Sequence, residues 1–300
     1  MQTPKITVIG SINIDLVTGS PRFPNPGETL LGTSFNRFMG GKGANQAVAA
    51  ARLGAEVCMI GAVGDDGFGR EALIHLAKEG ICTDHIQTLS DQPTGMANIT
   101  VAEGDNHIIV VSGANFGITP ADIEACEASI ADADIILSQL EIPMDCVITA
   151  AKLARKHNKP FVLNPAPAQK LPAELLELVT LLTPNAYELA ISLGLPENTP
   201  VEDLIKQAGV PVLMTRGSEG VLYNDENGTL HTQSSFKVSP VDTTGAGDTF
   251  NGAFAVFYHL GMAEATRKAN AAAALSVTKA GAQSGMPTAE QLDAFLAAQQ

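Results

Sequence analysis

Short apolar runs alternate along the chain with longer stretches whose apolar residues recur at the spacing of one helix face. A β-rich run at residues 6–10 is followed by a helical stretch at 44–53, and residues 57–63 and 68–79 repeat this order. Each helical stretch is followed by a glycine that ends it. The pattern then continues with strands at residues 135–140, 161–163, 181–182 and 212–215, and with helices that begin at Thr119-Pro120, end at His157 and follow Asn185.

The predicted strands are continuous apolar runs rather than alternating ones, which is typical of strands buried on both faces. Such strands, each followed by a helix, predict an α/β fold with a mostly parallel central sheet covered on both sides. Ligands bind sheets of this kind beyond the carboxyl ends of the strands. Polar residues that directly follow a predicted strand are therefore the first candidates for a binding site.

Two regions, 14–38 and 95–112, break the alternation with short antiparallel strand patterns and no helix; the second surrounds the turn Gly104-Asp105-Asn106. Together they predict a small second sheet, either a lid over the strand ends or an edge extension of the main sheet. Residues 221–224 and 229–233 predict a hairpin around Glu226-Asn227-Gly228, and a helix-rich tail begins at Gly247. No linker or repeat divides the sequence, so we expect one domain over residues 1–300.

Composition narrows the class of protein. The 300 residues are 45% hydrophobic and 17% charged, which is ordinary for a soluble globular protein. A net charge of −14 opposes broad attraction to nucleic acid or anionic lipid, so neither is an expected partner. No window approaches the roughly 20 apolar residues of a membrane span. The cysteines lack disulfide or zinc spacing, so reduced thiols and a cytoplasmic location are expected for Cys58, Cys82, Cys126 and Cys146.

The strongest local signal is the run VDTTGAGDTFNG at 241–252, where a loop of small residues passes into an apolar helix. Free amides at a helix start, aided by the helix dipole, form an anion site that suits a phosphoryl group in transfer. Asp248 would repel a resting phosphate, but beside this loop it can take the proton from an attacking hydroxyl. The alternative is an acidic first-turn residue that the dipole merely favours.

A second glycine-rich loop, GGKGANQ at 40–46, also enters a helix. It is not a P-loop, because Gly43 follows Lys42 where Ser or Thr is required. The glycines allow a sugar to approach the backbone, and Asn45 can hydrogen-bond to vicinal hydroxyls. The alternative is a plain turn before a helix.

Polar residues follow other predicted strands. Asn13, Asp15 and Glu141 stand at strand ends, where they are either sugar ligands or ordinary loop residues. Asn185 and Glu188 begin a helix and have the spacing of a capping box. The functional alternative is that this pair orders a magnesium-bound water and the phosphates.

Taken together, these motifs resemble those of the ribokinase family of carbohydrate kinases over nearly the whole chain. The resemblance is carried by GSINID at 10–15, PGET at 26–29, GGKGANQA at 40–47, NPAPA at 164–168, TPN at 183–185 and DTTGAGDTF at 242–250. It implies a three-layer α/β/α fold of the ribokinase type with a small β lid formed by about 14–38 and 95–112. It further implies that the lids of two subunits pack together in a homodimer.

The resemblance implies transfer of the ATP γ-phosphate, with magnesium, to the 5-hydroxyl of D-ribose; the alternatives are 2-deoxyribose, a nucleoside or a hexose. Asp248 would be the base beside the anion loop Gly245, Ala246 and Gly247. The sugar would be held by Ser11, Asn13, Asp15, Gly41, Lys42, Gly43, Asn45 and Glu141. The nucleotide would be held by Asn185, Thr215, Gly217, Ser218, Gly220, Gly247 and Asn270. An activating potassium ion would be held by Asp242, Thr244, Ser276, Lys279 and Gly281, and Glu188 would hold magnesium through water.

The sequence departs from the family pattern at two places. Ala186 follows Asn185 where the family often has an acidic residue, so the magnesium role falls to Glu188 alone. Gly285 stands where the family often has Ser, which leaves the last cation ligand open. A rival from another class is a sugar-binding or regulatory protein without catalysis, and the intact anion loop and Asp248 disfavour it.

Overall fold

The computed structural model describes residues 3–225 and 227–299. Its strands are β1 Lys5–Ile9, β2 Asn13–Gly19, β3 Ser34–Gly40, β4 Glu56–Gly64, β5 Cys82–Leu89, β6 Gly95–Ala102, β7 Asp105–Val111, β8 Ile135–Ser138, β9 Phe161–Leu163, β10 Leu181–Leu182, β11 Leu213–Thr215, β12 Val221–Asn224 and β13 Leu230–Gln233. Its helices are α1 Lys42–Arg52, α2 Gly67–Lys78, α3 Pro120–Ala125, α4 Glu127–Asp132, α5 Met144–Lys156, α6 Ala173–Leu176, α7 Ala186–Leu193, α8 Val201–Gln207, α9 Ala246–Phe257, α10 Met262–Ser276 and α11 Ala289–Ala297.

The central sheet has six strands in the order β10-β9-β8-β1-β4-β5, all paired in parallel. A single parallel bridge between Leu182 and Val212 continues it into the three-stranded sheet β11-β12-β13, whose pairs are antiparallel. The hairpin predicted at 221–233 is present, although Glu226 of its turn lies outside the described residues.

Helices cover both faces of the sheet, and strand β1 shows why. Ile6 and Val8 point into one apolar core, and Ile9 points into the other. The first core is completed by α1, α9, α10 and α11, and the second by α3, α5 and α7. The predicted three-layer α/β/α fold is therefore confirmed. None of the helices within the described residues is long and apolar enough to cross a membrane.

The two segments that break the alternation form a sheet of their own, in the order β3-β2-β6-β7. Each segment contributes an antiparallel pair, β2 with β3 and β6 with β7, and a parallel pair β2–β6 joins them. The central pair is parallel because β2 follows β1 and β6 follows β5, so both leave the parallel sheet at the same edge. Strand β7 is exposed along its whole length.

Helices α1 and α9 pack unusually closely. A Cβ added at Gly252 of α9 would lie 2.5 Å from the Gln46 carbonyl oxygen and 2.7 Å from the Ala49 Cβ, so only glycine fits there. Both helices begin in a glycine-rich loop. Their contact therefore brings the two loops together.

Some elements carry little sequence signal. Strand β5 reads CTDHIQTL and only Ile86 in it is buried, because it is the edge strand of the central sheet. Because its exposed positions are polar, β5 lacks the continuous apolar run by which the other central strands were predicted. Helix α8 was missed as well, since its seven residues carry only a short apolar stripe.

Candidate active site

Asp248 lies in the first turn of α9. Gly245 forms the N-cap with φ 76°, a left-handed conformation that glycine adopts without strain. Helix starts leave their first amides without an acceptor inside the helix. Here Ala246 N donates to the Thr243 carbonyl at 3.2 Å, whereas a Cβ added at Gly247 would point into open space. No side chain thus covers the backbone of the loop at Gly247.

The Asp248 carboxylate is only 7% exposed and is held by α1. Asn45 Nδ2 donates to Asp248 Oδ2 at 2.9 Å, and Gln46 Nε2 donates to Asp248 Oδ1 at 3.1 Å. Burial raises the pKa of Asp248, while Lys42 and these two amides oppose the rise. A carboxylate with a raised pKa in a cleft is suited to accepting a proton.

Two residues predicted to hold the sugar, Ser11 and Glu141, lie just beyond the carboxyl ends of β1 and β8. Asn13 and Asp15 were expected directly after the first strand, but they begin strand β2 of the small sheet. The Ser11 hydroxyl donates to Glu141 Oε2, which also accepts the Lys42 backbone N–H at 3.1 Å. Gly43 N donates to Ser11 Oγ at 3.3 Å. Three segments distant in sequence are therefore tied together beneath the site.

Asn13 is fixed by a residue that the sequence did not reveal. Asn115 Nδ2 donates to Asn13 Oδ1 at 2.7 Å, and Asn115 also bonds to the backbone N–H and carbonyl of Ile12. With its oxygen engaged, Asn13 can present its amide nitrogen to a ligand. A side chain at Gly41, the N-cap of α1, would collide with the backbone at Ile12 and Asn13.

Asp15, on strand β2, adds a third carboxylate to those of Asp248 and Glu141. Burial, together with the nearby Glu141 and Asp248 charges, raises the pKa of Asp15 to about 6. Burial disfavours the charge on Lys42, but the surrounding carboxylates outweigh it and raise the Lys42 pKa. The site is thus a cluster of acids around one ammonium group, which suits a ligand that brings several hydroxyl donors.

A cavity of about 390 Å³ opens beside Asp248. It joins the anion loop, the Lys42 region and the ends of β9, β10 and β11. Its lining is Lys42, Asn164, Ala166, Thr183, Asn185, Glu188, Thr215, Arg216, Gly217, Thr243, Gly245, Ala246, Gly247, Asp248 and Asn251. The buried Nε of Arg216 and the buried Oδ1 of Asn251 have no hydrogen-bond partner among the described residues. Backbone amides and two cations around a polar cavity fit the phosphates of a nucleotide.

Asn185 and Glu188 form the capping box that their spacing predicted, and both also line this cavity. Burial raises the pKa of Glu188, while its bond from the Asn185 N–H and the Lys42 charge oppose the rise. Within the described residues, no group of three or more His, Cys, Asp or Glu side chains is placed to hold a metal ion. A magnesium ion fits here in its usual manner, through one carboxylate, water and the phosphates.

The other predicted nucleotide residues do not all meet at the cavity. Thr215 and Gly217 line it, but Ser218, Gly220 and Asn270 do not. Asn270 Nδ2 donates to the Ser234 carbonyl at 2.8 Å. Gly220, with φ 94°, lies against the backbone of Gln233 and Ser235.

The residues predicted to bind potassium lie next to the anion loop. Asp242 Oδ1 accepts the Thr244 N–H at 2.9 Å, and Asp242 Oδ2 accepts the Gly281 N–H at 2.8 Å. Burial alone would raise the Asp242 pKa, but these bonds hold it below its usual range. Ser276 and Lys279 take part in neither bond, and the Ser276 carbonyl lies against Gly285. Asp242 is therefore an ionised carboxylate whose two oxygens each accept one backbone N–H, and it lies just before the anion loop.

Several site residues were missed by sequence reasoning. Gln46 and Asn164 lie inside motifs that were recognised, so position within those motifs was a usable signal. Arg216 stands between two predicted nucleotide residues, Thr215 and Gly217, and its charge could have drawn attention to it. For Asn115, in a short 3₁₀ turn, no sequence signal exists.

Known proteins resemble this chain over nearly its whole length. The family described as pfkB family carbohydrate kinase matches residues 3–289. The chain is 46% identical to the ribokinase of Bacillus subtilis, over 97% of this chain and 99% of that protein. It is 45% identical to the ribokinase of Haemophilus influenzae, over 97% and 98%. The structure of Arabidopsis thaliana ribokinase complexed with ribose and ATP superposes with a TM-score of 0.89 at 33% identity, covering 98% of this chain and 99% of that one.

Proposed function

The chain belongs to the pfkB family of carbohydrate kinases, and from this premise we propose that it transfers the γ-phosphate of ATP to the 5-hydroxyl of D-ribose, giving ribose 5-phosphate. One observation carries the proposal. Asp248 is buried where the predicted sugar residues meet the cavity lined by the anion loop. A base in that position can reach an acceptor hydroxyl on one side and leaves room for phosphates on the other.

In the proposed reaction Asp248 takes the proton from the 5-hydroxyl as the oxygen attacks the γ-phosphorus in line with the leaving group. Asn45 and Gln46 hold the carboxylate by one oxygen each, so that it need not reorganise during the transfer. The amides at the start of α9, together with Lys42, stabilise the charge on the moving phosphoryl group.

Asn13, Asp15, Asn45 and Glu141 bind the sugar hydroxyls in this proposal. The carboxylates accept hydrogen bonds, and the amides both donate and accept them. Several hydroxyl groups of one polyol can therefore be hydrogen-bonded at the same time. Sugar hydroxyls also replace water around the acidic cluster when they bind.

The nucleotide phosphates lie along Arg216, Asn185 and the anion loop. Magnesium, when bound, neutralises phosphate charge, and Glu188 orders its water shell. Asp242 would hold a potassium ion next to the anion loop, and the ion would support the loop there, because Asp242 bonds to Thr244 just before the loop and to Gly281.

The four-stranded sheet acts as a lid that excludes water from the phosphoryl group, which limits hydrolysis of ATP. It carries a patch of exposed apolar side chains, notably Phe35 at 65% and Ile109 at 67%. Such a patch is typical of a protein interface, so the lids of two subunits pack together in a homodimer. A cytoplasmic location, where ATP is available and thiols stay reduced, completes the proposal.

The decisive experiment is a coupled ADP-release assay on purified protein with ribose, 2-deoxyribose, fructose and nucleosides, each with and without potassium. We expect the highest kcat/KM for ribose and an increase with potassium. Preference for 2-deoxyribose, a nucleoside or a hexose would overturn the substrate assignment but keep the kinase. No ADP release with any of them would instead support a sugar-binding protein.

A further inference from the structure

Asp248 is the last member of a line of side-chain hydrogen bonds that begins at the surface of α2. His75 Nε2 lies 2.7 Å from Gln283 Oε1. Gln283 Nε2 donates to Asn45 Oδ1 at 2.9 Å, and Asn45 Nδ2 donates to Asp248 Oδ2 at 2.9 Å. His75 and Gln283 are absent from the site as described above. The line nevertheless ends on the base itself.

The direction of each bond follows from the last acceptor. An ionised carboxylate only accepts hydrogen bonds, so Asn45 must turn its amide nitrogen toward Asp248. Asn45 Oδ1 then faces Gln283, so Gln283 must donate a hydrogen bond to it from its amide nitrogen. Gln283 Oε1 is left facing His75. His75 must therefore carry a hydrogen on Nε2, which the Nε2-protonated neutral ring and the imidazolium both provide.

The backbone of Gln283 is held in place by Arg52. Gln283 is 6% exposed, and its backbone carbonyl accepts a hydrogen bond from Arg52 Nη1. Arg52 in turn donates to both carboxylate oxygens of Glu79, at 2.8 and 2.6 Å. The backbone of Gln283 is thus anchored, and what remains to be decided is which way its amide faces. Asp248 at one end of the line and the His75 donor at the other both favour the direction in which Gln283 Nε2 faces Asn45.

We propose that His75 and Gln283 are positioning residues, which fix the direction of the buried amides so that Asn45 presents a donor to the catalytic base. The inference rests on the proposed function, because Asn45 and Asp248 act there as sugar ligand and base. His75 and Gln283 do not touch the substrate. Without the His75 donor, Asp248 alone sets this direction, and the Gln283 and Asn45 amides turn an oxygen toward Asp248 more often.

Such a rotation has a consequence for pH dependence. Asn45 is one of the groups that lower the pKa of Asp248 against the effect of burial. Losing that donor moves the acid limb of the kcat/KM profile for ribose to higher pH. The charged groups that face Asp248 are Lys42 of α1, Asp15 of β2, Glu141 after β8 and Glu188 of α7, and those that face His75 are Glu79 and, through it, Arg52.

The test compares His75→Leu with His75→Gln, because glutamine keeps a donor at its tip and leucine does not. For His75→Leu we expect kcat/KM for ribose to fall about fivefold, the effect of one lost hydrogen bond, with the acid limb shifted upward. His75→Gln should restore both. Gln283→Glu keeps the shape but places an acceptor against Asn45 Oδ1, and it should lower kcat/KM by about tenfold or more. Melting temperatures identify any variant that merely fails to fold.

A readout without substrate separates this inference from the proposed function. ¹⁵N NMR of the histidine rings, assigned through His75→Gln, should show His75 protonated at Nε2 at pH 8. A ring protonated only at Nδ1 would overturn the proposal whatever the enzyme phosphorylates. An active wild type with His75→Leu unchanged in kcat/KM and acid limb would overturn it too. An inactive wild type would count against the proposed function alone.

Discussion

Asn185 and Glu188 hold each other at the start of α7: the Asn185 backbone N–H donates to Glu188 Oε2, and the Glu188 N–H donates to Asn185 Oδ1, both at 2.8 Å. The cap engages Glu188 Oε2, which leaves Oε1 available to the cavity that Glu188 lines. Capping and magnesium binding, which the sequence left as alternatives, are therefore compatible in one residue.

Glu188→Gln separates the two roles, because glutamine keeps an oxygen for the cap and loses the charge. We expect the magnesium concentration for half-maximal activity to rise about tenfold or more, as for other groups that order metal ligands. Stability should change by less than about 1 kcal/mol. Asp122→Asn, in the capping box of α3 away from the cavity, is the matched control. An unchanged magnesium requirement would contradict the assignment.

Asp248→Asn tests the base. The amide keeps the size of the side chain but cannot take a proton, so kcat should fall at least about a hundredfold. Sugar affinity, measured by calorimetry with ribose alone, should stay near that of the wild type. Turnover close to normal would show that Asp248 is not the base.

Asp15 predicts an unusual pH dependence. Its folded pKa of about 6 lies above the ordinary aspartate value of 3.8, so the folded state takes up a proton first as pH falls. Burial of this charge thus lowers stability above pH 6, and the loss disappears toward pH 4. At pH 7.5 without ligand, Asp15→Asn should be more stable than the wild type, by up to roughly 3 kcal/mol. Thermal unfolding at pH 4.5 and 7.5 checks this, and a variant that is less stable at pH 7.5 would contradict it.

Asp242→Asn tests the potassium site. Loss of the charge should raise the potassium concentration for half-maximal activation by about tenfold. Asp225→Asn is the control, because Asp225 also accepts two backbone N–H bonds in an exposed turn, both at 2.9 Å. If both variants respond to potassium as the wild type does, the ion does not bind at Asp242.

Ile109→Glu tests the lid interface. A charge in the middle of an apolar contact is costly to bury, so the variant should sediment as a monomer where the wild type sediments as a dimer. Leu260→Glu, at an exposed apolar position after α9, should leave the dimer intact. A wild-type monomer at micromolar concentration would remove the basis of the dimer proposal.

The sequence anticipated the features that depend on neighbouring residues. The glycine loops, the helix start at Thr119, the capping box at Asn185 and most central strands are local, and the structure contains them near the expected positions. Hydrogen bonds between residues distant in sequence could not be predicted. Gln283 and Asn45 are 238 positions apart, and nothing near either residue indicates the other. Strand β5 was missed because an edge strand exposes one side to water.

The close contact at Gly252 fixes the distance between Asp248, the proposed base on α9, and Asn45 on α1 through two backbones rather than through flexible side chains. Strands β2, β3, β6 and β7 stand outside that contact. A chimera that takes these four strands from a relative would thus change its sugar preference and keep its proton transfer. A chimera that takes α1 but not α9 from a relative would lose the close packing of the two helices, and with it the proton transfer.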